Sequence, residues 1–242
     1  MSLNYAPQLT TAEEYRELFE RERANVYPQI DVIERHLGYA VERDRLEVAA
    51  RVLSCPKKAA APNWQHGRVI YAVTRHALAS RADALVSLLD IGTAKGFSAL
   101  CLQWALNDSQ CLGAVVSVDV MDPMDRCKRN TVAEVDGLKT LPEILMPWPE
   151  ARQIRFERST GRDWLVKHKE RVHVAYVDGK HTYDAVSWEA TLLSARQQAG
   201  DVIIFDDIQV DGVFKAVSEL RGYDVEHVQA LPSRRYAIAR KR

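Results

Sequence analysis

The sequence predicts an α/β protein: a doubly wound, mostly parallel sheet of seven strands that ends in an antiparallel C-terminal hairpin and follows a helical N-terminal extension. Three observations carry this prediction. From residue 86 onward, short Val- and Ile-rich runs alternate with helix-length segments, the pattern of parallel strands joined by crossover helices. The run Leu88-Leu89-Asp90-Ile91-Gly92-Thr93-Ala94-Lys95-Gly96-Phe97-Ser98 leads an apolar strand into an acid, two glycines and a helical pattern. The last two runs, 223–228 and 235–240, are joined through a short Leu231-Pro232-Ser233 turn, which suits a hairpin and is too short for a parallel crossover. With 242 residues, 47% apolar and 27% charged, one such domain buries a sizeable core.

Taken in order, residues 11–54 read as helical, with Thr10 or Thr11 as N-cap, Glu13 and Glu14 in the first turn, and Tyr15, Leu18 and Phe19 on one face. Pro56 and Pro62 bracket an alanine-rich connector. The boundary between an extension of residues 1–62 and a main domain of residues 63–242 is therefore placed there. Asn63 to His66 precede a helix from Arg68 to about Ser80. Then come strand 86–91, helix 96–107, strands 115–119 and 154–158, helix 161–169, strand 172–177, helix 182–198, strand 201–206, helix 211–221 and the hairpin. The interval 122–153 is irregular, holds Pro123, Pro142, Pro147 and Pro149, and is longer than a crossover needs, so it reads as a lid over the strand ends. Met124 and Trp148 within it are assigned to packing.

In the glycine run, Gly92 allows a sharp turn close to a ligand, Gly96 is expected to let the next helix pack near its strand, and Asp90 is expected to face the crevice. The spacing is Asp-x-Gly-x-x-x-Gly and not the Gly-x-Gly-x-x-Gly of a pyrophosphate site, which argues against a nicotinamide-dependent oxidoreductase. A ligand with a cationic or amine group suits Asp90 better. This motif resembles the first motif of the class I S-adenosylmethionine-dependent methyltransferases, whose Rossmann-like fold has the same antiparallel ending. The resemblance extends over roughly residues 63–240. It implies S-adenosylmethionine as cofactor, held by Asp90, Gly92, Thr93, Gly96, Phe97 and Ser98. Asp119 ends the next strand where the family binds the ribose hydroxyls, which a carboxylate accepts well; its other use is to cap the turn before Pro123. Ser159 and Thr160 lie where relatives contact adenine, and equally suit a helix N-cap. Asn63 to His66 are placed to reach the cofactor's amino-acid end or the substrate.

A second cluster is Tyr176-Val177-Asp178-Gly179-Lys180-His181 with Phe205-Asp206-Asp207. In a parallel sheet both acid groups leave neighbouring strands on one rim, and three close carboxylates call for a cation such as magnesium between them. The cluster resembles that of metal-dependent O-methyltransferases of the catechol type and of sugar- or macrolide-tailoring relatives. That likeness implies Asp178, Asp206 and Asp207 as ligands of Mg2+ or another divalent ion, with Asp178 also beside the cofactor. His181 stands where catechol-type relatives carry a lysine base, so an imidazole would take the proton of a substrate hydroxyl; its other use is to cap the following helix. The departure from lysine points away from catechol and toward other small hydroxylated acceptors.

Lys and Arg number 33, matching 33 Asp and Glu, and no basic stripe with interleaved aromatics is present. A small-molecule acceptor is expected and a nucleic acid is not; Arg240-Lys241-Arg242 reads as a solvated tail. Cys55, Cys101, Cys111 and Cys127 form no Cys-x-x-Cys pair, and with no apolar span or leader pattern the expectation is a cytoplasmic protein with reduced thiols and no membrane contact. The N-terminal helices offer a surface for pairing two chains. The alternatives are a metal-independent N- or C-methyltransferase and an inactive module that only binds the cofactor.

Overall fold

A computed structural model of the chain describes residues 11–54, 64–81 and 85–242. Thr10, Cys55, Pro56, Pro62, Asn63, the alanine-rich connector and the boundary placed there lie outside the described residues. The helical stretch resolves into α1 (Ala12–Arg23), α2 (Pro28–Leu37) and α3 (Arg43–Leu53). Thr11 forms a capping box with Glu14 at the start of α1, Pro28 opens α2 with its fixed φ, and Gly38 closes it at φ +79°. Tyr15 and Phe19 are buried and Leu18 is half-buried, as their shared face required. In α4 (His66–Leu78) the buried Arg68 donates to Glu34 at 2.8 Å and to Asp31 at 2.5 Å, tying α2 to the domain.

The remaining elements are β1 (Val86–Ile91), α5 (Phe97–Asp108), β2 (Gly113–Asp119), α6 (Leu141–Leu145), β3 (Ile154–Arg158), α7 (Gly161–Lys167), β4 (Val174–Val177), α8 (Tyr183–Ser194), β5 (Val202–Phe205), α9 (Asp211–Ser218), β6 (Tyr223–Leu231) and β7 (Arg234–Lys241). They form one seven-stranded sheet in the order β3-β2-β1-β4-β5-β7-β6. β1 to β5 are mutually parallel where they pair, and β7 runs antiparallel to β5 and β6. The predicted fold class therefore holds, and the differences are at element ends. The helix expected over 182–198 stops at Ser194 and that over 161–169 at Lys167, while the second strand begins two residues early at Gly113.

Side chains alternate along the strands between two cores. Leu88, Val115, Val174, Tyr176, Val202 and Ile204 face α4 and α5 and share a cluster with Phe19, Ile30, Leu46 and Trp64 from the N-terminal segment. Leu89, Val116, Ala175, Ile203 and Phe205 face α7 to α9. α5 is buried from Phe97 through Leu106, which explains why it is apolar all round instead of amphipathic. The interval 122–153 is partly built: Leu141, Ile144, Leu145, Trp148 and Ala151 pack into the α5-side core, each large side chain contributing roughly 1.5–3 kcal/mol. Met124 is exposed, at 66%. Among the described residues no helix is long and apolar enough to cross a membrane.

Because the chain leaves β1 toward β2 and β3 on one side and returns to β4 and β5 on the other, the strand order reverses between β1 and β4. Open α/β sheets hold their ligands outside the carboxyl ends of the strands at such a point.

Candidate active site

The loop after β1 is the first wall of this crevice. Gly92 adopts φ +102°, and a Cβ there would lie 2.2 Å from the carbonyl oxygen of Asp178, so glycine is what lets the β4 end close against the β1 end. The loop backbone is tied to β2 by Gly92 N–H donating to Val118 O at 2.9 Å, and the Thr93 and Ser117 hydroxyls meet at 2.6 Å. Ala94 is held at φ +45°. Its N–H donates to Asp119 at 2.8 Å and its carbonyl accepts from the Arg129 guanidinium at 2.9 Å. Gly96 caps α5 at φ +82°, and a Cβ there would meet Leu145 at 2.9 Å. The close approach that needs this glycine is thus to α6, not to its own strand as expected.

Asp90 also departs from expectation. It does not face the open crevice: it is fully buried one residue before the end of β1, on the face toward α5, where Ser117 of the neighbouring register position donates to it at 2.5 Å. Burial pushes its carboxyl up to about 7, against the pull of the Ser117 and Ser98 hydroxyls. Its second oxygen has no hydrogen-bond partner. Phe97 and Ser98 open α5 and are both buried.

Of the two uses weighed for Asp119, the structure shows the cap. The residue stands at the end of β2, half-buried, and accepts from Ala94 and Met121 N–H groups at 2.8 and 2.9 Å, so it caps its turn and braces the loop. Ser159 reaches the same rim, its N–H donating to the Asp119 carbonyl at 2.8 Å. Thr160 serves as N-cap of α7, accepting from Asp163 N–H at 3.0 Å.

The second wall is charged. His181 Nε2 lies 3.0 Å from Asp178 and Nδ1 lies 3.5 Å from Asp207. Asp207 also forms an ion pair with Arg234 and accepts from Gln209 at 2.5 Å. Its backbone sits at φ +52°, a strained conformation of the kind that concentrates at functional sites. Asp206 points the other way: it is buried, and accepts from the Tyr176 hydroxyl and from Asp207 N–H, both at 2.7 Å. The expected ligand set Asp178, Asp206, Asp207 is therefore not the one brought together. Potential ligand atoms of Asp178, His181 and Asp207 all lie within 4.8 Å of one another.

Titration follows this geometry. The hydrogen bond to Asp178 raises the His181 imidazole above its ordinary value, against the effect of burial. Burial, with the charges of Asp178 and Asp207, pushes Asp206 up to about 8. Burial of Asp207 is outweighed by Arg234 and His181, which hold it below the usual carboxylate value. Burial also raises the Asp178 carboxyl above the usual carboxylate value, against the pull of His181, and Asp206 is buried as its neutral form at pH 7.

His66, from the first turn of α4, joins the walls: its ring stacks on Tyr176 at 5.9 Å and meets Phe97 edge-on at 5.0 Å. Arg129, Arg234, Gln209 and the role of the Tyr176 hydroxyl were not read from the sequence. Only the β5–β7 register, Phe205 opposite Ala237, could have pointed to Arg234, since it carries the start of β7 past the end of β5.

Residues 89–208 match the family described as a methyltransferase domain. Among solved structures, the chain is similar to a methyltransferase of Podospora anserina with SAH bound, at 11% identity over 88% of this chain and 94% of that one, with a TM-score of 0.57. It is also similar to an O-methyltransferase from Bacillus cereus in complex with SAH, at 13% identity, 90% and 93% coverage and a TM-score of 0.54. An rRNA methylase from Streptococcus thermophilus aligns at 13% identity over 70% of this chain and 95% of that one, with a TM-score of 0.50. At these identities the likeness shows the fold. No curated protein matches the sequence.

Proposed function

We propose that the methyltransferase domain spanning residues 89–208 moves the methyl group of S-adenosylmethionine to a hydroxyl of a small molecule, with His181 as the base. The observation that carries this reading is an imidazole set between two carboxylates, 3.0 Å from Asp178 and 3.5 Å from Asp207, on the rim where Gly92 lies against Asp178. The cofactor suits the first wall. Asp119 stands at the rim with acceptor capacity for the cofactor's hydroxyls. The equal numbers of basic and acidic residues favour a small acceptor over a nucleic-acid backbone.

In the reaction the acceptor oxygen attacks the sulfonium methyl carbon in line as the carbon–sulfur bond breaks, leaving S-adenosylhomocysteine. The hydroxyl proton passes to Nδ1 of neutral His181, the nitrogen on the Asp207 side. Asp178 orients the ring and stabilises the imidazolium that forms. Orientation of the two reactants supplies the rest, and no covalent intermediate with the protein is needed.

A specific observation supports a second reading. The convergence of Asp178, His181 and Asp207 within 4.8 Å fits a divalent cation of mixed nitrogen and oxygen preference, Mg2+ being less suited to the imidazole than Mn2+. Such an ion would make a bound hydroxyl more acidic, and His181 would then be a ligand instead of the base. A metal-independent N- or C-methyltransferase would keep the first wall and use Asp206 and Asp207 only to cap the following helix, with no ion bound. A module that only binds the cofactor would have no use for the second wall.

Calorimetric titration with S-adenosylmethionine and S-adenosylhomocysteine, with Mg2+ or Mn2+ and again with a chelator, tests both readings without knowledge of the acceptor. Micromolar binding of both compounds is expected. Absence of binding would sink the methyltransferase reading; a metal heat lost in Asp207→Asn would select the second reading over the first.

A further inference from the structure

We propose that Arg234 is the resident counter-cation of the acid cluster, and that a divalent ion can occupy Asp178 and Asp207 only by displacing its guanidinium. This rests on the divalent-ion reading above. The sheet itself delivers the residue. β7 runs antiparallel to β5 with Phe205 opposite Ala237, so the start of β7 lies beyond the end of β5. Ile208 N–H donates to the Arg235 carbonyl at 3.1 Å, and Arg235 N–H donates to the Gln209 side chain at 2.8 Å. These two bonds tie Arg235 to the two residues that follow Asp207 and leave the Arg234 side chain paired with Asp207.

The pair is well shielded, with side-chain exposures of 11% for Arg234 and 13% for Asp207, so solvent screens it less than a surface pair. Asp207 is the acid that both cations would share: one of its oxygens faces Arg234 and Gln209, and the other faces His181. A metal ion that takes Asp207 as ligand meets the guanidinium charge at close range. The like charges repel, and the site discriminates against weakly held cations. The next residue, Arg235, is exposed and turned away, which provides a control of equal charge at the adjacent position.

The test is Mn2+ binding to the full chain, measured by calorimetry and by the electron-spin signal of free Mn2+, for the wild type, Arg234→Gln and Arg235→Gln. Melting curves and S-adenosylhomocysteine binding report folding for each. Arg234→Gln is expected to bind Mn2+ roughly tenfold more tightly than the wild type, and Arg235→Gln within about twofold of it. Equal or weaker binding by Arg234→Gln, with Mn2+ bound by the wild type, overturns the competition and leaves the metal reading standing. No Mn2+ binding by any of the three folded proteins removes the metal reading and the inference with it. Should Arg234→Gln fail to fold, Arg234→Lys keeps the charge on a less well-fitted stem. It is then expected to bind about threefold more tightly than the wild type, and unchanged affinity overturns the proposal.

Discussion

Around the ends of β1 and β2 the crevice is fixed through the backbone groups of one loop, whereas around β4 and β5 it is fixed by ion pairs between side chains. The 92–96 loop hangs from Val118, Asp119 and Arg129 through its own N–H and C=O groups. The opposite wall is a chain of Asp178, His181, Asp207 and Arg234. The difference teaches a division of labour. A wall held through its backbone suits a ligand bound the same way in every cycle. A wall made of protonation equilibria can exchange a proton, and its state depends on what is bound.

The two walls meet at one point, so the most severe test of the comparison is to break that point. Gly92→Ala places a methyl group 2.2 Å from the Asp178 carbonyl oxygen at φ +102°. That oxygen is backbone and cannot swing aside. Loss of stability on the order of 3–5 kcal/mol is expected, together with loss of S-adenosylhomocysteine binding. A melting temperature near that of the wild type would mean that the walls are not coupled through Gly92.

The charged wall alone is broken by His181→Gln. Turnover with any acceptor found should fall by roughly 100- to 10,000-fold, while S-adenosylhomocysteine binding, proposed to rest on the other wall, should change little. The pH profile sharpens this. Asp178 raises the imidazole pKa, and only neutral His181 can accept a proton, so the rate should climb with pH through that raised value, above the ordinary 6.5, before levelling. A rate independent of pH from 6 to 9, or unchanged in His181→Gln, would remove the base from the mechanism. At the backbone wall, Arg129→Gln removes the clamp on the Ala94 carbonyl. It should weaken S-adenosylhomocysteine binding by roughly tenfold, with no change in the shape of the pH profile.

How much of this was legible follows from where each contact lives in the chain. The strand, turn and helix that hold Asp90, Gly92 and Gly96 could be read because they are contiguous, but not that Asp90 is fully buried or that Gly96 abuts Leu145; the alternation of runs gave the sheet. Asp206 and Asp207 looked equivalent because they are adjacent, yet successive residues leaving a strand point to opposite faces. Asp206 therefore follows Ile204 and Tyr176 toward α4 and α5, while Asp207, bent to φ +52°, turns out to His181. Arg234 is 27 residues away from Asp207 and meets it only through strand register. Arg129 lies in a segment with no periodicity, and its role needed the coordinates of Ala94.

The smallest effect concerns an acid that belongs to neither wall. Glu189 of α8 is 4% exposed, one of its oxygens has no partner, and burial alone raises its carboxyl from 4.5 to about 7. A carboxyl whose folded value lies above its unfolded one opposes folding when ionised. The penalty is absent below about 4.5, grows as pH rises from there to about 7, and is full above it. Glu189→Gln removes the charge but leaves a buried amide, which offsets part of the gain. The net expectation is on the order of 1 kcal/mol, or roughly 2–4 °C in Tm, in favour of the variant at pH 8, vanishing near pH 4.5. Because a Cβ at Gly161 would lie 2.4 Å from the Glu189 carboxyl and 2.6 Å from Ile91, at the start of α7 beside Ser159 and Thr160, the same variant asks whether this acid is only a cost. If Glu189→Gln is more stable at pH 8 yet binds S-adenosylhomocysteine less well, the acid supports the first wall and is more than a cost.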